Sequence, residues 1–136
     1  AGAVAPRAVL TARRAPRGGA RIATLPVGYA DGYRRRLSNR GEVIVRGRRA
    51  KVAGIVCMDQ LVVDVTGIPD AEEGDDVLLF GRSGGDEIGL LEVASWADTN
   101  RNEIIASLGR RVPRVYLRGG TVSETVDYLG SGGNLR

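Results

Sequence analysis

Apolar alternation in this chain comes in short bursts, each cut off by glycine, proline or an Asp-Gly pair, and that pattern restricts it to short antiparallel strands. Residues 21–30 (RIATLPVGYA) read as the first strand, with Ile22, Thr24 and Val27 as core positions and Pro26 marking an edge or bulge. GEVIVRG (41–47) alternates cleanly and turns through Gly47, Arg48 and Arg49 into AKVAGIV, a hairpin. CMDQLVVDV (57–65) is a further strand with Leu61, Val63 and Val65 on one face, and Asp76 to Phe80 is a short buried one. The period then changes. Leu90, Val93, Ala94 and Ala97 recur at helical spacing, as do Ile104, Ile105 and Leu108, which predicts two short helices. Asn100 with Glu103 forms a capping pair, and Gly109 is placed to stop the second helix. RVPRVYL (111–117) reads as a last strand entered at Pro113. The expected fold is mainly β, a small antiparallel barrel-like domain with a two-helix insert. With 136 residues there is room for one domain. The expected division is an irregular arm over 1–20, the β domain over 21–120 and a tail over 121–136, mobile from Gly130.

The residue inventory removes much chemistry. There is no histidine, one cysteine (Cys57) and one lysine (Lys51). An internal disulfide is impossible, histidine-based acid–base and nucleophile chemistry is excluded, and most zinc or iron sites go with it. Cys57 has no neighbouring activator, so it reads as a core cysteine beside the gap-filling Met58. No apolar stretch approaches the roughly 20 residues of a membrane span, and no signal-peptide pattern opens the residues given.

Charge is unevenly spread. Residues 1–65 carry 13 cations against 4 acids, and residues 66–136 carry 7 cations against 12 acids. Arginines at 34–49 therefore leave a basic β-barrel nucleic-acid-binding module as an alternative. Aromatics at 4% are too few for a base-stacking platform, and the second half is acidic, so a charged solvated surface is the preferred reading.

Two segments are more constrained than ordinary strand ends: VGYADGY (27–33) and GIVCMDQ (54–60). Gly28 and Gly32 bracket Tyr29 and Asp31, allowing close backbone approach, and Asp59 interrupts the apolar alternation after Met58. Together with GDDVLLFG (74–81), NRNEI (100–104) and RRVPRVYL (110–117), in that order and spacing, they make the chain resemble the C-terminal domain of alanine racemase from about Arg21 to Leu117.

That resemblance implies a division of labour. In the family an N-terminal TIM-barrel domain holds pyridoxal 5′-phosphate on a lysine, and the mainly β C-terminal domain completes the site of the other subunit in a head-to-tail homodimer. The enzyme is cytoplasmic and interconverts L- and D-alanine for peptidoglycan precursors. A lysine and a tyrosine on opposite faces exchange the α-proton. Neither base is matched here: Lys51 corresponds to a non-catalytic surface position, and residues 1–12, where the tyrosine segment belongs, contain no tyrosine. The isolated fragment is therefore expected to be inactive and, with its interface uncovered, to self-associate.

By the same resemblance the substrate-facing wall carries over. Met58 matches a methionine whose backbone N–H meets the substrate carboxylate. Tyr29 matches a tyrosine at the narrow entry. Asp59 and Arg35 match polar positions that guide a small zwitterion. Three positions depart from the family pattern: Ile55 stands where arginine is usual, Asn100 where an apolar residue is usual, and Asn102 where a tyrosine bonds the cofactor phosphate. The shorter carboxamide of Asn102 opens volume and adds a donor and an acceptor, which raises a serine or broad-specificity racemase as an alternative substrate class.

Overall fold

The computed structural model describes residues 8–14 and 19–130. In chain order the elements are β1 (Ala8–Val9), β2 (Thr11–Arg14), β3 (Arg21–Leu25), β4 (Glu42–Val45), β5 (Arg48–Val52), β6 (Leu61–Asp64), β7 (Asp76–Leu78), β8 (Gly81–Ser83), β9 (Asp86–Ile88), α1 (Leu90–Trp96), α2 (Arg101–Ala106), β10 (Arg114–Arg118) and β11 (Thr121–Val126). Seven strands make one sheet in the order β1-β7-β4-β5-β6-β3-β2, and every pairing in it is antiparallel. The two edge strands, β1 and β2, are separated by Leu10 alone. A single bent segment thus pairs with β7 on one side and β3 on the other, and the sheet curls closed through it. Closure leaves few free edges in so small a sheet.

Register explains the core. Buried residues face one another across the ladders: Val43 opposite Ala50, Val52 opposite Val63, Val63 opposite Ala23, Leu61 opposite Leu25, and Val45 opposite Val77. A slip of one residue would turn this set outward. Ile44 points away from the interior yet is buried, because the β8–β9 hairpin packs against β4 on that face. Arg49, paired with Ile44 in register, reaches Glu42, Asp86 and Glu92 at 2.6–3.0 Å and pins this outer layer to the barrel.

Mainly β architecture with two short helices is as expected, but several elements differ. Residues 8–14, expected within an irregular arm, supply the closing strands, because their backbone groups complete ladders left open by β7 and β3. The buried phase of β3 is Ala23 and Leu25, continued by Val27; Ile22 and Thr24 lie on its other, half-buried face. Pro26 ends β3, which is flanked on both sides, and marks neither an edge nor a bulge. The first hairpin turns at Arg46–Gly47, both left-handed (φ 48° and 73°), one residue earlier than the sequence suggests. Residues 57–60 are loop, leaving β6 to begin at Leu61, so Cys57 and Met58 are exposed rather than the core pair expected. Gly81 to Ile88 forms an unanticipated hairpin. Thr121–Val126, expected in the tail, pairs with β10 in a separate exposed ribbon. The mobility expected of the tail falls on residues 131–136, outside the described residues.

The helices appear where their periods place them. Asn100 Oδ1 accepts from the Glu103 N–H at 3.0 Å, the N-cap bond expected. Gly109 does not stop α2, whose C-cap is Ser107; its N–H donates to the Asp31 carbonyl at 3.2 Å, and a Cβ there would stand 3.1 Å from the Ala30 oxygen. Among the described residues, no helix is long and apolar enough to cross a membrane.

Candidate functional site

The two glycine-bearing loops meet backbone to backbone. After Pro26 ends β3, residues Tyr29–Asp31 form a single 3-10 turn. Asp31 Oδ2 accepts from the Gly28 N–H at 2.9 Å and closes that turn on itself. The Tyr29 N–H donates to the Cys57 carbonyl and the Ala30 N–H to the Met58 carbonyl, each at 3.0 Å. Only glycine allows this approach at 28. A Cβ there would lie 2.2 Å from the Cys57 oxygen and 2.4 Å from that of Met58. The loop 53–60 is held from its other end by Cys57 N–H to the Gln60 carbonyl at 2.9 Å.

What this clamp presents is an unpartnered donor. The Met58 carbonyl is engaged by Ala30, but the Met58 N–H has no acceptor among the described residues, and the residue is half-exposed. Tyr29 (43% exposed) and Ile55 (58%) stand on the same pair of loops, so three large side chains are left open to a neighbour. Asp59, next in sequence, is bonded by Arg111 Nη2 at 2.6 Å, and Arg111 Nε lies 3.5 Å from Asp31. Asp59 and the Asp31 charge together hold the Arg111 guanidinium above its ordinary range.

Arg35 is placed beside Tyr29 rather than beside Met58. Both line an open cleft of about 750 Å³, with Arg34, Arg36, Asp98 and Ser107; Met58 and Asn102 do not line it. Arg34 is paired with Glu103 at 2.6 Å and Arg36 with Asp98 at 2.5 Å, whereas Arg35 makes no ion pair among the described residues. Helix α2 docks on the first loop through Ser107, whose hydroxyl is 3.1 Å from the Gly32 carbonyl, and through the Arg34–Glu103 pair. Asn100 is occupied as the cap of α2, and Asn102 is exposed on its first turn. The structure therefore brings Tyr29, Met58 and Asp59 together on one loop pair, places Arg35 with Asp98 in the lining of the cleft, and leaves Asn100 and Asn102 on a docked helix.

Sequence reasoning placed Arg111 at the head of the last strand, but β10 begins at Arg114, and Arg111 sits in the loop before it, where only the fold brings it to Asp31 and Asp59. It also passed over Asp98, which Arg40 and Arg36 hold at a pKa of about 2. The arginine run at 34–49 is largely consumed in such pairs: Arg34 with Glu103, Arg36 and Arg40 with Asp98, Arg46 with Asp75, and Arg49 with three acids. The excess of cations in one half is met by the acids of the other, leaving little of a free polyanion face.

Fold and site define a class: a closed β domain that carries a clamped loop pair with exposed side chains and one backbone donor left without an acceptor among the described residues. The family model "Alanine racemase, C-terminal domain" matches residues 11–116. An alanine racemase of Halothermothrix orenii is 55% identical over 96 residues, covering 71% of this chain and 25% of that protein. One from Symbiobacterium thermophilum is 57% identical over 95 residues, covering 70% and 25%. The crystal structure of alanine racemase from Bacillus anthracis with bound L-Ala-P matches with a TM-score of 0.82 at 35% identity, over 90% of this chain and 34% of that one. The chain belongs to the alanine racemase C-terminal domain family. It spans about a quarter of the length of the curated relatives it matches.

Proposed function

We propose that this chain is the C-terminal part of a cytoplasmic alanine racemase and forms one wall of an active site whose reactive groups lie elsewhere. The observation that carries the reading is the Met58 N–H, on an exposed residue, without an acceptor among the described residues and fixed in direction by the Tyr29 bond to the carbonyl of the same peptide plane, that of Cys57. Such a donor suits the carboxylate of a small amino acid, and a backbone group needs no particular side chain to do it. Tyr29 narrows the approach, and the unpaired Arg35 attracts an anion toward the cleft.

The remaining parts are supplied by an N-terminal TIM-barrel domain and by the second subunit of a homodimer, which covers the half-exposed loop residues. Residues of this chain do not fit a resident pyridoxal 5′-phosphate. Lys51 is exposed on β5 with Glu42 and Asp64 as register partners, outside the loop pair, and Asn102 offers a carboxamide without a cation. The cofactor's lysine anchor therefore belongs to the rest of the enzyme, and the tyrosine base, whose family position falls on residues 1–12, has no match in this chain. This chain binds and orients the substrate and shields the site from water.

The test is a pair of substitutions in the full-length enzyme. Met58→Pro deletes the N–H and is expected to lower kcat/KM for L-alanine by about 10- to 100-fold, the worth of a hydrogen bond to a charged group. Met58→Leu keeps the donor and is expected to stay close to the parent. Equal losses in the two variants would remove the backbone-donor reading.

A second reading concerns substrate size and rests on Asn102, exposed on the first turn of α2 with a polar head where a bulky phenol is expected. An alanine racemase so altered accepts a larger hydroxylated substrate such as serine. Asn102→Tyr is then expected to shift the ratio of L-alanine to L-serine turnover toward alanine, and an unchanged ratio contradicts it.

A further inference from the structure

Arg111 lies in the segment that leads from α2 to β10, with its side chain 44% exposed, so core packing does not explain its placement. It touches both loops of the site at once, through Asp59 Oδ1 at 2.6 Å and Asp31 Oδ1 at 3.5 Å. The second oxygen of Asp31 holds the Gly28 N–H, and Gly28 is the point where the first loop rests on the carbonyls of Cys57 and Met58. The geometry points to Arg111 as a positioning residue for carboxylate recognition at the Met58 N–H, neutralising the two acids of the loop pair and holding the loops that aim the donor.

The electrostatic need is direct. Asp31 and Asp59 flank the clamp, and Asp59 is adjacent to Met58 in sequence. An amino-acid carboxylate arriving at the Met58 N–H meets a local charge of −1 with Arg111 present and −2 without it. At separations of several ångströms in a partly solvated cleft, one unit charge alters anion affinity by about tenfold. Mechanically, Arg111 cross-links Asp31 to Asp59, so its loss also frees the second loop to rotate the donor. The Arg111 segment is itself tied down by the Gly109 N–H to the Asp31 carbonyl at 3.2 Å and by Val112 N–H to the Gly109 carbonyl at 3.4 Å.

The inference rests on the reading of Met58 as the carboxylate donor, and the experiment separates the two. In the full-length enzyme, kcat and KM for L-alanine are measured for Arg111→Met, Arg111→Lys, Asp59→Asn and the double variant Arg111→Met/Asp59→Asn, with hydrogen exchange over residues 54–60. Arg111→Met is expected to raise KM about tenfold with kcat changed less than about threefold, and to speed exchange in that loop. Arg111→Lys keeps the charge and falls between. The double variant restores the parent's charge and is expected to return KM to within about threefold. Asp59→Asn alone removes one acid and keeps the cation, and is expected to lower KM several-fold. An unchanged KM in Arg111→Met, a double variant as weak as the single one, or an unchanged or raised KM in Asp59→Asn overturns the proposal. A parent enzyme that does not interconvert alanine overturns the underlying reading and this one with it; an active parent with those variant results overturns this one alone.

Discussion

The Tyr29 amide donates to the Cys57 carbonyl over 3.0 Å, so the peptide plane that carries the Met58 N–H takes its direction from a turn 28 residues earlier in the chain. The two segments cannot move independently, because the Ala30 amide makes the matching bond to the Met58 carbonyl. A site built this way depends on the backbone of both loops and only weakly on the side chain at 58.

Gly28→Ala tests the clamp. Its φ of −152° is open to any residue, so the cost is collision: the new methyl would stand 2.2 Å from one carbonyl and 2.4 Å from the next. We expect a loss of about 2 kcal/mol in urea unfolding, the scale of overpacking, together with shifted amide signals for Tyr29 and Ala30. Parent-like stability and unshifted amides would show that the loops do not bear on each other.

Leu10→Ala tests barrel closure. Leu10 is fully buried between the two strands that close the sheet, and its carbonyl accepts from the Gly74 N–H at 3.1 Å. Truncation is expected to cost about 3 kcal/mol and to speed amide exchange in β7 and β3 together. Exchange confined to one of those strands would mean the segment closes only one edge.

Asn100→Ala removes the side-chain cap of α2 and is expected to cost about 1 kcal/mol, with Asn100→Asp close to the parent. Because α2 docks on Gly32 through Ser107, the loss is expected to appear also as faster exchange in the 28–33 loop. Equal stability of Asn100→Ala and the parent in thermal unfolding would contradict the capping role.

Asp98 supplies a pH-dependent element. Hydrogen bonds from Arg40 and Arg36 hold its carboxyl at a pKa of about 2, below the ordinary 3.8. A carboxyl whose folded pKa is depressed stabilises the fold above the unfolded value, and that contribution disappears as pH falls from about 4 toward 2. Asp98→Asn tolerates the left-handed backbone at this position (φ 51°) and is expected to flatten the stability profile between pH 4 and pH 2. Urea midpoints at pH 5 and pH 2 check it; an unchanged slope would show that the pairs add nothing.

How much of this was legible in the sequence depends on the range of the interaction. Alternation in Leu61, Val63 and Val65 gave the buried face of β6, and the helical spacing of Leu90, Val93 and Ala94 gave α1, because both signals are local. The phase of β3 was not legible, since Ile22 and Thr24 look more core-like than Ala23, and only pairing with Val63 makes the small residue the interior one. Residues 8–14 carry no strand period and become strands because two ladders lack partners. In the loop pair, the close backbone approach at Gly28 was legible from its motif, and Tyr29 and Met58 stood out by family likeness as candidates. The placement of Arg111 was not legible, since its partners lie 52 and 80 residues away.

The most direct measurement is chiral analysis of alanine after incubating L-alanine and pyridoxal 5′-phosphate with this chain alone, beside the full-length enzyme. A wall without the anchoring lysine or either base leaves D-alanine at the background of free cofactor, while the full-length enzyme produces it. D-alanine above that background from the chain alone, or none from the full-length enzyme, would contradict the assignment.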